Sequence, residues 1–197
     1  MTVKILSTEI AEWWDSEVQP TIDRDPSRAD AAWSWPLFTA VNGWRPPPKP
    51  LPRGFAVCLE ITRPGGEGAS QPVALVQMVT RCPFIEEPWQ GCVLVCYLST
   101  IPRSLLAPEH WVGLVGRAGM DVAVVTALES GHSGRVMLTV GTKDSARLVA
   151  WYELRCRMSR ITALGHATDL CFVHRPATAL ASYHDLACFR ATGASDA

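Results

Sequence analysis

The sequence lacks several features that would place it in a specialised class of protein. It has no unbroken apolar run long enough to span a bilayer, so we expect no transmembrane helix and no membrane partner. Only 19% of the residues are charged and the formal net charge is -1, which argues against a nucleic-acid-binding protein. The N-terminal residues soon become acidic, unlike a secretory signal peptide. These absences favour a single globular domain within the 197 residues.

Metal-binding and disulfide patterns are also missing. The seven cysteines contain no Cys-x-x-Cys pair and the five histidines contain no His-x-x-x-His pair, so we expect no catalytic metal. Several cysteines lie in apolar runs and their number is odd, which is typical of buried thiols in a reducing, cytoplasmic protein. A disulfide between Cys82 and Cys92 is the alternative.

What is present is an alternation of strands and helices with apolar periodicity. We predict a strand at Val3–Leu6, a helix that Gln19-Pro20 ends or kinks, a helix at Asp25–Trp35, and strands at Phe55–Thr62 and Pro72–Thr80. After an irregular loop at Cys82–Gln90, we predict a strand at Gly91–Thr100, a helix at Gly113–Glu129, a strand at Arg135–Val140, a helix capped by Asp144 or Ser145, strands at Ile161–Leu164 and Leu170–His174, and a last strand within Tyr183–Phe189.

The most apolar strand is followed by a glycine-containing turn, a helix and another strand. This order predicts a right-handed crossover with parallel pairing of the two strands. A helix N-terminus beside a strand end exposes backbone N–H groups and the positive end of the helix dipole, which favours an anion such as a phosphate.

Two motifs in this region resemble those of the GNAT superfamily of acyl-CoA N-acyltransferases. The run from Val115 to Ala123 is similar to the family's pyrophosphate loop and helix, with Gly116 as the second glycine of the loop. Leu114 stands where the family has its first glycine, and Trp111 where it has Gln or Arg.

The second motif is Ser145-Ala-Arg-Leu-Val-Ala-Trp151-Tyr152-Glu153, which is similar to the family's Asn-x-x-Ala-x-x-Phe-Tyr-Glu helix. The resemblance implies an α/β (α+β) fold: a mixed, mostly antiparallel central sheet with a splayed parallel strand pair, flanked by helices on both faces. It also implies one GNAT-like domain over residues 1–190 and a flexible tail over 191–197.

The resemblance further implies a set of acyl-CoA-binding residues. The strand amides near Tyr97, Leu98 and Ser99 would pair with the pantetheine arm. The amides of the loop and first helical turn would face the pyrophosphate, with two arginines adding charge and Ser145 in the second motif. These residues are Arg103, Val115, Gly116, Arg117, Ala118 and Ser145.

For catalysis, Tyr152 matches the family's tyrosine that protonates the departing thiolate. Glu86 and Glu87, in the loop before the central strand, are our candidates for the general base. Glu60, Glu109 and His110 remain open as alternatives for that base.

The function that the resemblance implies is an acyl-CoA-dependent N-acyltransferase. It would transfer an acetyl group from acetyl-CoA to a primary amine, on a small molecule or a peptide, by direct attack; a homodimer is left open. Trp35 and Trp44 are left open as acceptor-site residues, whereas Trp13 and Trp14 are interpreted as packing residues.

Two alternatives to this function come from the same sequence. Because Leu114 replaces a loop glycine, the first is a non-catalytic protein of this fold that acts in binding or regulation. The second is a partner-binding module that uses the proline-rich loop from Pro46 to Pro52.

Overall fold

The structure is a computed structural model that describes residues 1–39, 53–62, 70–106, 115–141, 146–161 and 169–176. Several sequence-based predictions lie outside these residues. They are the proline-rich loop at Pro46–Pro52, the strand within Tyr183–Phe189 and the tail at 191–197, together with Trp44, Glu109, His110, Trp111, Leu114, Asp144 and Ser145.

The described helices and strands follow the predicted order. The first half contains β1 (Thr2–Ile5), α1 (Thr8–Trp13), a π-helical turn (Trp14–Val18), α2 (Gln19–Asp23), α3 (Trp35–Thr39), β2 (Arg53–Thr62) and β3 (Ser70–Phe84). The second half contains β4 (Glu87–Thr100), a 3₁₀ turn (Arg103–Leu105), α4 (Val115–Glu129), β5 (Val136–Gly141), α5 (Ala146–Ala150), a second π-helical turn (Trp151–Arg155), β6 (Ser159–Ile161) and β7 (Asp169–His174).

The strands form a seven-stranded sheet in the order β1-β2-β3-β4-β5-β7-β6. The sheet is mostly antiparallel, its one parallel pair is β4–β5, and helices flank it. In β1–β2 the register runs from Thr2 opposite Glu60 to Ile5 opposite Val57. The predicted fold class is therefore confirmed, including the parallel pair formed by the strand–helix–strand crossover.

The chain divides into two compact units. The first unit consists of Met1–Val79 and Val95–Gly119, and the second consists of Thr80–Leu94 and Met120–Ala197. Strand β4 and helix α4 therefore each contribute residues to both units. The prediction of one domain over residues 1–190 stays a prediction.

Tryptophan side chains build much of the core of the first unit. Trp14 and Trp35 are fully buried, together with Val18 and Ile22. Helix α3 begins at Trp35 because Asp15 accepts a hydrogen bond of 2.9 Å from its backbone N–H. Trp35, which the sequence left open as an acceptor-site residue, is thus a core side chain.

The predicted helix at Asp25–Trp35 is wrong. Residues 25–32 form turns, and Ala32 has a φ of 62°, which a helix does not accommodate. The carboxylate of Asp25 accepts hydrogen bonds from the backbone and hydroxyl groups of Ser27 at 3.0 and 2.6 Å. Such local side-chain bonds compete with the helical backbone pattern, and they prevail here.

The predicted irregular loop at Cys82–Gln90 is also wrong. Strand β3 continues to Phe84, residues 85 and 86 form a tight turn, and β4 begins at Glu87. Phe84 is buried whereas its neighbours Pro83 and Ile85 are exposed, so the alternation of a strand persists through this segment.

The six described cysteines form no disulfide. Cys82 and Cys92 are therefore thiols, as the main prediction held, and the alternative of a disulfide between them is wrong. Burial raises the pKa of Cys58 to about 12, and burial also raises the pKa of Cys92 to about 12. In the second unit, Cys92 and Cys171 pack with Phe84 and Val173 in a small apolar cluster. These thiols act as core side chains rather than as nucleophiles.

Two further properties concern the described ranges only. None of the helices there has the length and apolar character needed to cross a membrane. Within the same ranges, no three His, Cys, Asp or Glu side chains are grouped so that they could hold a metal ion.

Candidate active site

Strand β4 presents three of the predicted cofactor-binding residues within the first unit. Tyr97 packs its ring edge-on against Trp33, with the ring centroids 4.7 Å apart. Ser99 is fully buried and donates its hydroxyl to Asp30 at 2.6 Å. Leu98, between them, points to the opposite side of the strand, where the first turns of α4 lie.

Gly119 sets the distance between α4 and this strand. A Cβ atom at position 119 would lie 2.7 Å from Cδ1 of Leu98 and 3.2 Å from Cγ2 of Val76. The absence of a side chain at Gly119 therefore lets the helix backbone approach the sheet closely. This contact lies one turn after the N-terminus of α4 at Val115.

The N-terminus of α4 has the electrostatic character of an anion site. Its first turn contains no acidic residue, so no side chain of that turn neutralises the positive end of the helix dipole. Nε of Arg117 is buried and has no hydrogen-bond partner among the described residues. Val115 is buried, while Gly116, Arg117 and Ala118 are half-buried, so part of this turn is accessible.

Arg103 differs from the other predicted cofactor-binding residues of this unit. It is exposed in the 3₁₀ turn that follows β4, and no described contact joins it to α4. The first unit contains eight of the predicted cofactor-binding residues: Tyr97, Leu98, Ser99, Arg103, Val115, Gly116, Arg117 and Ala118. No described contact joins Arg103 to the others. Ser145, the remaining cofactor-binding prediction, lies outside the described residues.

A buried polar network behind β4 was not predicted from the sequence. Both carboxylate oxygens of Asp30 bind the guanidinium of Arg28, with Nε at 2.8 Å, and Oδ2 also accepts the Ser99 hydroxyl. Arg28 donates a further hydrogen bond of 2.7 Å to the backbone oxygen of Thr100. This network fixes the end of β4 to the turn that precedes α3. The Ser99 hydroxyl donates its hydrogen bond within this network. The bonds that reach Ser99 and Thr100 span 69 and 72 positions, so no local sequence pattern signals them.

In the second unit, Tyr152 lies in the π-helical turn that extends α5. Its side chain is 8% exposed, and its ring packs against Trp151 at 5.0 Å and Phe172 at 5.3 Å between centroids. The backbone oxygen of Tyr152 accepts a hydrogen bond of 3.1 Å from Met158. Single π-helical turns are frequent at functional sites, and this one holds the phenol ring in a fixed position.

The two glutamates predicted as bases differ in their surroundings. Glu86, in the turn of the β3–β4 hairpin, binds Arg175 through both oxygens, at 2.9 Å from Nε and 2.5 Å from Nη2. This ion pair raises the pKa of Arg175, since the carboxylate accepts hydrogen bonds from the guanidinium. Glu87 is half-buried at the start of β4. Only Glu87 therefore keeps its carboxylate outside a described ion pair.

The sheet order, the single parallel pair and the helix that crosses between its strands define the fold class as GNAT-like. No protein-family model matches the chain, and no curated protein matches it. The similarities of this chain to known proteins were therefore found by comparing structures.

Three solved structures are similar over most of the chain. FeeM, an N-acyl amino acid synthase from uncultured soil microbes, has a TM-score of 0.50 at 11% identity, covering 92% of this chain and 93% of that one. An acetyltransferase of the GNAT family from Streptococcus pneumoniae has a TM-score of 0.49 at 9% identity, with 87% and 96% covered. A mutant AtaT toxin bound to the C-terminus of the antitoxin AtaR and acetyl-CoA has a TM-score of 0.46 at 15% identity, with 90% and 94% covered. At 11% identity the likeness to FeeM concerns the fold alone, and it agrees with the predicted fold class.

Proposed function

We propose that this chain is an acyltransferase that takes an acyl group, most simply acetyl, from an acyl-CoA and transfers it to a primary amine. The observation that carries the proposal is the placement of α4. Gly119 packs on Leu98 one turn after a helix N-terminus that has no acidic residue, and this N-terminus belongs to the same compact unit as the end of β4. A helix N-terminus is a favourable binding site for the phosphates of such a cofactor.

The chain's own residues fit the phosphates of coenzyme A. The backbone N–H groups of Val115, Gly116 and Arg117 belong to the first helical turn, where an α-helix offers them no partners, and Ala118 follows them in the same turn. The partnerless Nε of Arg117 adds a charged donor to them. Arg103 would add a second positive charge from the exposed turn after β4.

Strand β4 would hold the rest of the molecule. Backbone groups at Tyr97, Leu98 and Ser99 would pair with the amides of the pantetheine arm and orient the acyl carbonyl. The Arg28–Asp30–Ser99 network supports this role because it fixes the strand end in one conformation. Bound acyl-CoA would supply the thioester that the amine attacks.

Tyr152 is our candidate for the proton donor. The amine nitrogen would form a bond to the acyl carbon, and the carbon–sulfur bond would break. The Tyr152 hydroxyl would give its proton to the departing sulfur, since a phenol is a donor at neutral pH. The proton lost by the amine would leave through water, because Glu87 begins β4 ten positions before Tyr97, about 30 Å along the strand, and Glu86 is ion-paired with Arg175.

Titration calorimetry with acetyl-CoA tests this function. We expect binding in the micromolar range, and Arg117→Gln should weaken it by about tenfold through loss of one charged donor. Arg24→Gln is the matched control, because Arg24 is an exposed arginine of the first unit outside the site. No binding at about 1 mM acetyl-CoA would exclude the acyltransferase function.

Release of free thiol in the presence of a set of primary amines then tests turnover. Thiol release that depends on the amine would support the proposal. Tight acetyl-CoA binding without amine-dependent thiol release would favour the non-catalytic alternative instead.

A further inference from the structure

His174 is a buried histidine of the second unit that the proposed mechanism leaves without a role. It ends strand β7 and is only 1% exposed. Phe172, two positions earlier on the same strand, packs its ring on that of Tyr152. Because alternate residues of a strand share one face of the sheet, His174 lies on the face that carries the π-helical turn of Tyr152.

The imidazole of His174 contacts this turn through one hydrogen bond. Nε2 lies 2.5 Å from the backbone oxygen of Cys156, the residue directly after the turn. A carbonyl oxygen only accepts, so Nε2 carries the proton. Nδ1 is buried and has no hydrogen-bond partner among the described residues. A proton on Nδ1 would leave a buried donor unpaired, so both ring nitrogens favour the same neutral tautomer.

Three hydrogen bonds hold the chain that follows Tyr152. The N–H of Cys156 donates to the first residue of the π-helical turn at 3.2 Å, and the N–H of Met158 donates to the backbone oxygen of Tyr152 at 3.1 Å. Between them, Arg157 has a φ of 53°, a left-handed conformation that is uncommon outside glycine. The third bond comes from His174, and it joins this reversal of the chain to the sheet.

The surroundings of the imidazole keep it neutral. Val136, which is opposite His174 on β5, is fully buried, as is Phe172. Burial lowers the pKa of His174, and the hydrogen bond to Cys156 opposes this shift only in part. The ring therefore acts at neutral pH as an uncharged donor with a fixed direction.

We propose that His174 is a positioning residue for Tyr152. Its Nε2–H fixes Cys156, and through Cys156 the π-helical turn, so that the phenol hydroxyl keeps one orientation towards the thioester. This role rests on the proposed acyl transfer, in which that hydroxyl gives its proton to the departing sulfur. A displacement of about 1 Å in such a group can cost about 10²-fold in rate, so one anchoring bond beside Tyr152 is enough to affect turnover.

Two variants of similar size separate the hydrogen bond from the packing of the ring. Glutamine at position 174 can place an amide N–H near the position of Nε2, whereas methionine has a similar length and no donor. Fluorine NMR on protein labelled with 3-fluorotyrosine reports on Tyr152, one of three tyrosines, through the signal that is missing in Tyr152→Phe. We expect His174→Gln to keep the wild-type resonance and His174→Met to shift it towards its value in urea. Equal Tyr152 resonances in the two variants would overturn the proposal.

Thiol release measures the consequence for catalysis. His174→Met should lower kcat about tenfold with an unchanged KM for acetyl-CoA, and His174→Gln should lose less than about twofold. A wild-type kcat in His174→Met would refute the positioning role. A wild-type protein without any amine-dependent thiol release would refute the acyl transfer instead, and the fluorine resonance would still show whether His174 fixes Tyr152.

The wild-type protein provides a measurement that does not depend on the folding of the variants. In protein with nitrogen-15-labelled histidine and sequentially assigned resonances, the two ring nitrogens of His174 report which of them is protonated. We expect the proton on Nε2 at about pH 7.5. A proton on Nδ1 would overturn the proposal, because Nε2 could then not donate to Cys156.

Discussion

The backbone N–H of Arg81 donates a hydrogen bond of 3.2 Å to Nε2 of His132, although the two residues are 51 positions apart. Arg81 has a φ of 61°, a left-handed conformation inside strand β3. This conformation costs on the order of 1 kcal/mol, and it turns the N–H group towards the imidazole. Because Nε2 accepts, the ring is neutral and carries its proton on Nδ1.

Stability should therefore decrease as the pH falls. Burial, together with the positive charges of Arg81 and Arg135, lowers the pKa of His132 below its ordinary value. The unfolded chain then takes up the proton first, so this contribution is complete above about pH 6.5 and is lost as the pH falls through the folded-state pKa. Urea unfolding at about pH 7.5 and about pH 5.5 measures the change.

His132→Gln provides the comparison, because the glutamine amide oxygen can still accept from Arg81 but does not titrate there. Its free energy of unfolding should depend less steeply on pH than that of the wild-type protein. Some dependence should remain, since burial also lowers the pKa of His174. An identical pH dependence in both proteins would show that His132 does not titrate on unfolding.

Gly91→Ala should destabilise the protein through the same histidine. A Cβ atom at position 91 would lie 2.6 Å from both Cε1 and Nδ1 of the His132 ring. We expect a loss of about 1–3 kcal/mol in the free energy of unfolding, because the hydrogen bond from Arg81 restrains the ring. In a His132→Ala background the same substitution should cost much less, and additive effects in this double-mutant cycle would argue against the clash.

Gly119→Ala should push α4 away from β4. The added methyl group would meet Leu98 and Val76, and we expect a loss of about 1–3 kcal/mol, measured by denaturant unfolding. Leu98→Ala should partly rescue the variant because it removes the nearest atom, Cδ1, although it leaves a cavity of its own. If Gly119→Ala destabilised the Leu98→Ala protein as much as the wild-type protein, the close approach would not depend on Leu98.

Tyr152→Phe should reduce kcat with little change in KM for acetyl-CoA. The substitution keeps the ring that packs on Trp151 and Phe172 but removes the hydroxyl proton. General acid catalysis contributes roughly 10²-fold or more, so a drop of that size is expected in thiol-release assays. Thermal unfolding serves as the control for structure, and an unchanged kcat would remove Tyr152 from the mechanism.

Asp30→Asn should unfold the protein at lower denaturant concentration. Asp30 is 5% exposed and pairs with Arg28 and Ser99, so removing its charge leaves a largely buried guanidinium without its partner. We expect a loss of about 3 kcal/mol. Asp25→Asn changes an exposed carboxylate that serves a local turn, and it should cost under about 0.5 kcal/mol. Similar losses in both variants would contradict the assigned network.

Local patterns predicted much of this fold. The apolar run of β4 and the helical periodicity of α4 are carried by neighbouring residues. Both elements form and end where predicted, although β4 begins at Glu87 rather than Gly91. The prediction of a helix at Asp25–Trp35 was wrong because helical apolar spacing does not reveal the turn in which Ser27 donates to Asp25.

The site was less readable than the fold. Gly116 was interpreted as the glycine of a pyrophosphate loop because it falls in a family-like motif. The structure shows that Gly119 controls the approach of α4 to Leu98. The bond between Ser99 and Asp30 spans 69 positions, and no local pattern reports such a pairing. The bidentate ion pair of Glu86 with Arg175 spans 89 positions and was equally invisible.

The long reach of the Asp30 network has a consequence for synthesis of the chain. Asp30 and Arg28 leave the ribosome well before Ser99 and Thr100, which lie 69 and 72 positions later. Until then the nascent N-terminal segment carries the Arg28–Asp30 ion pair without the strand residues to which both side chains bind. The first unit therefore completes its folding late in translation, and slow elongation between these positions prolongs the time in which chaperones can bind it.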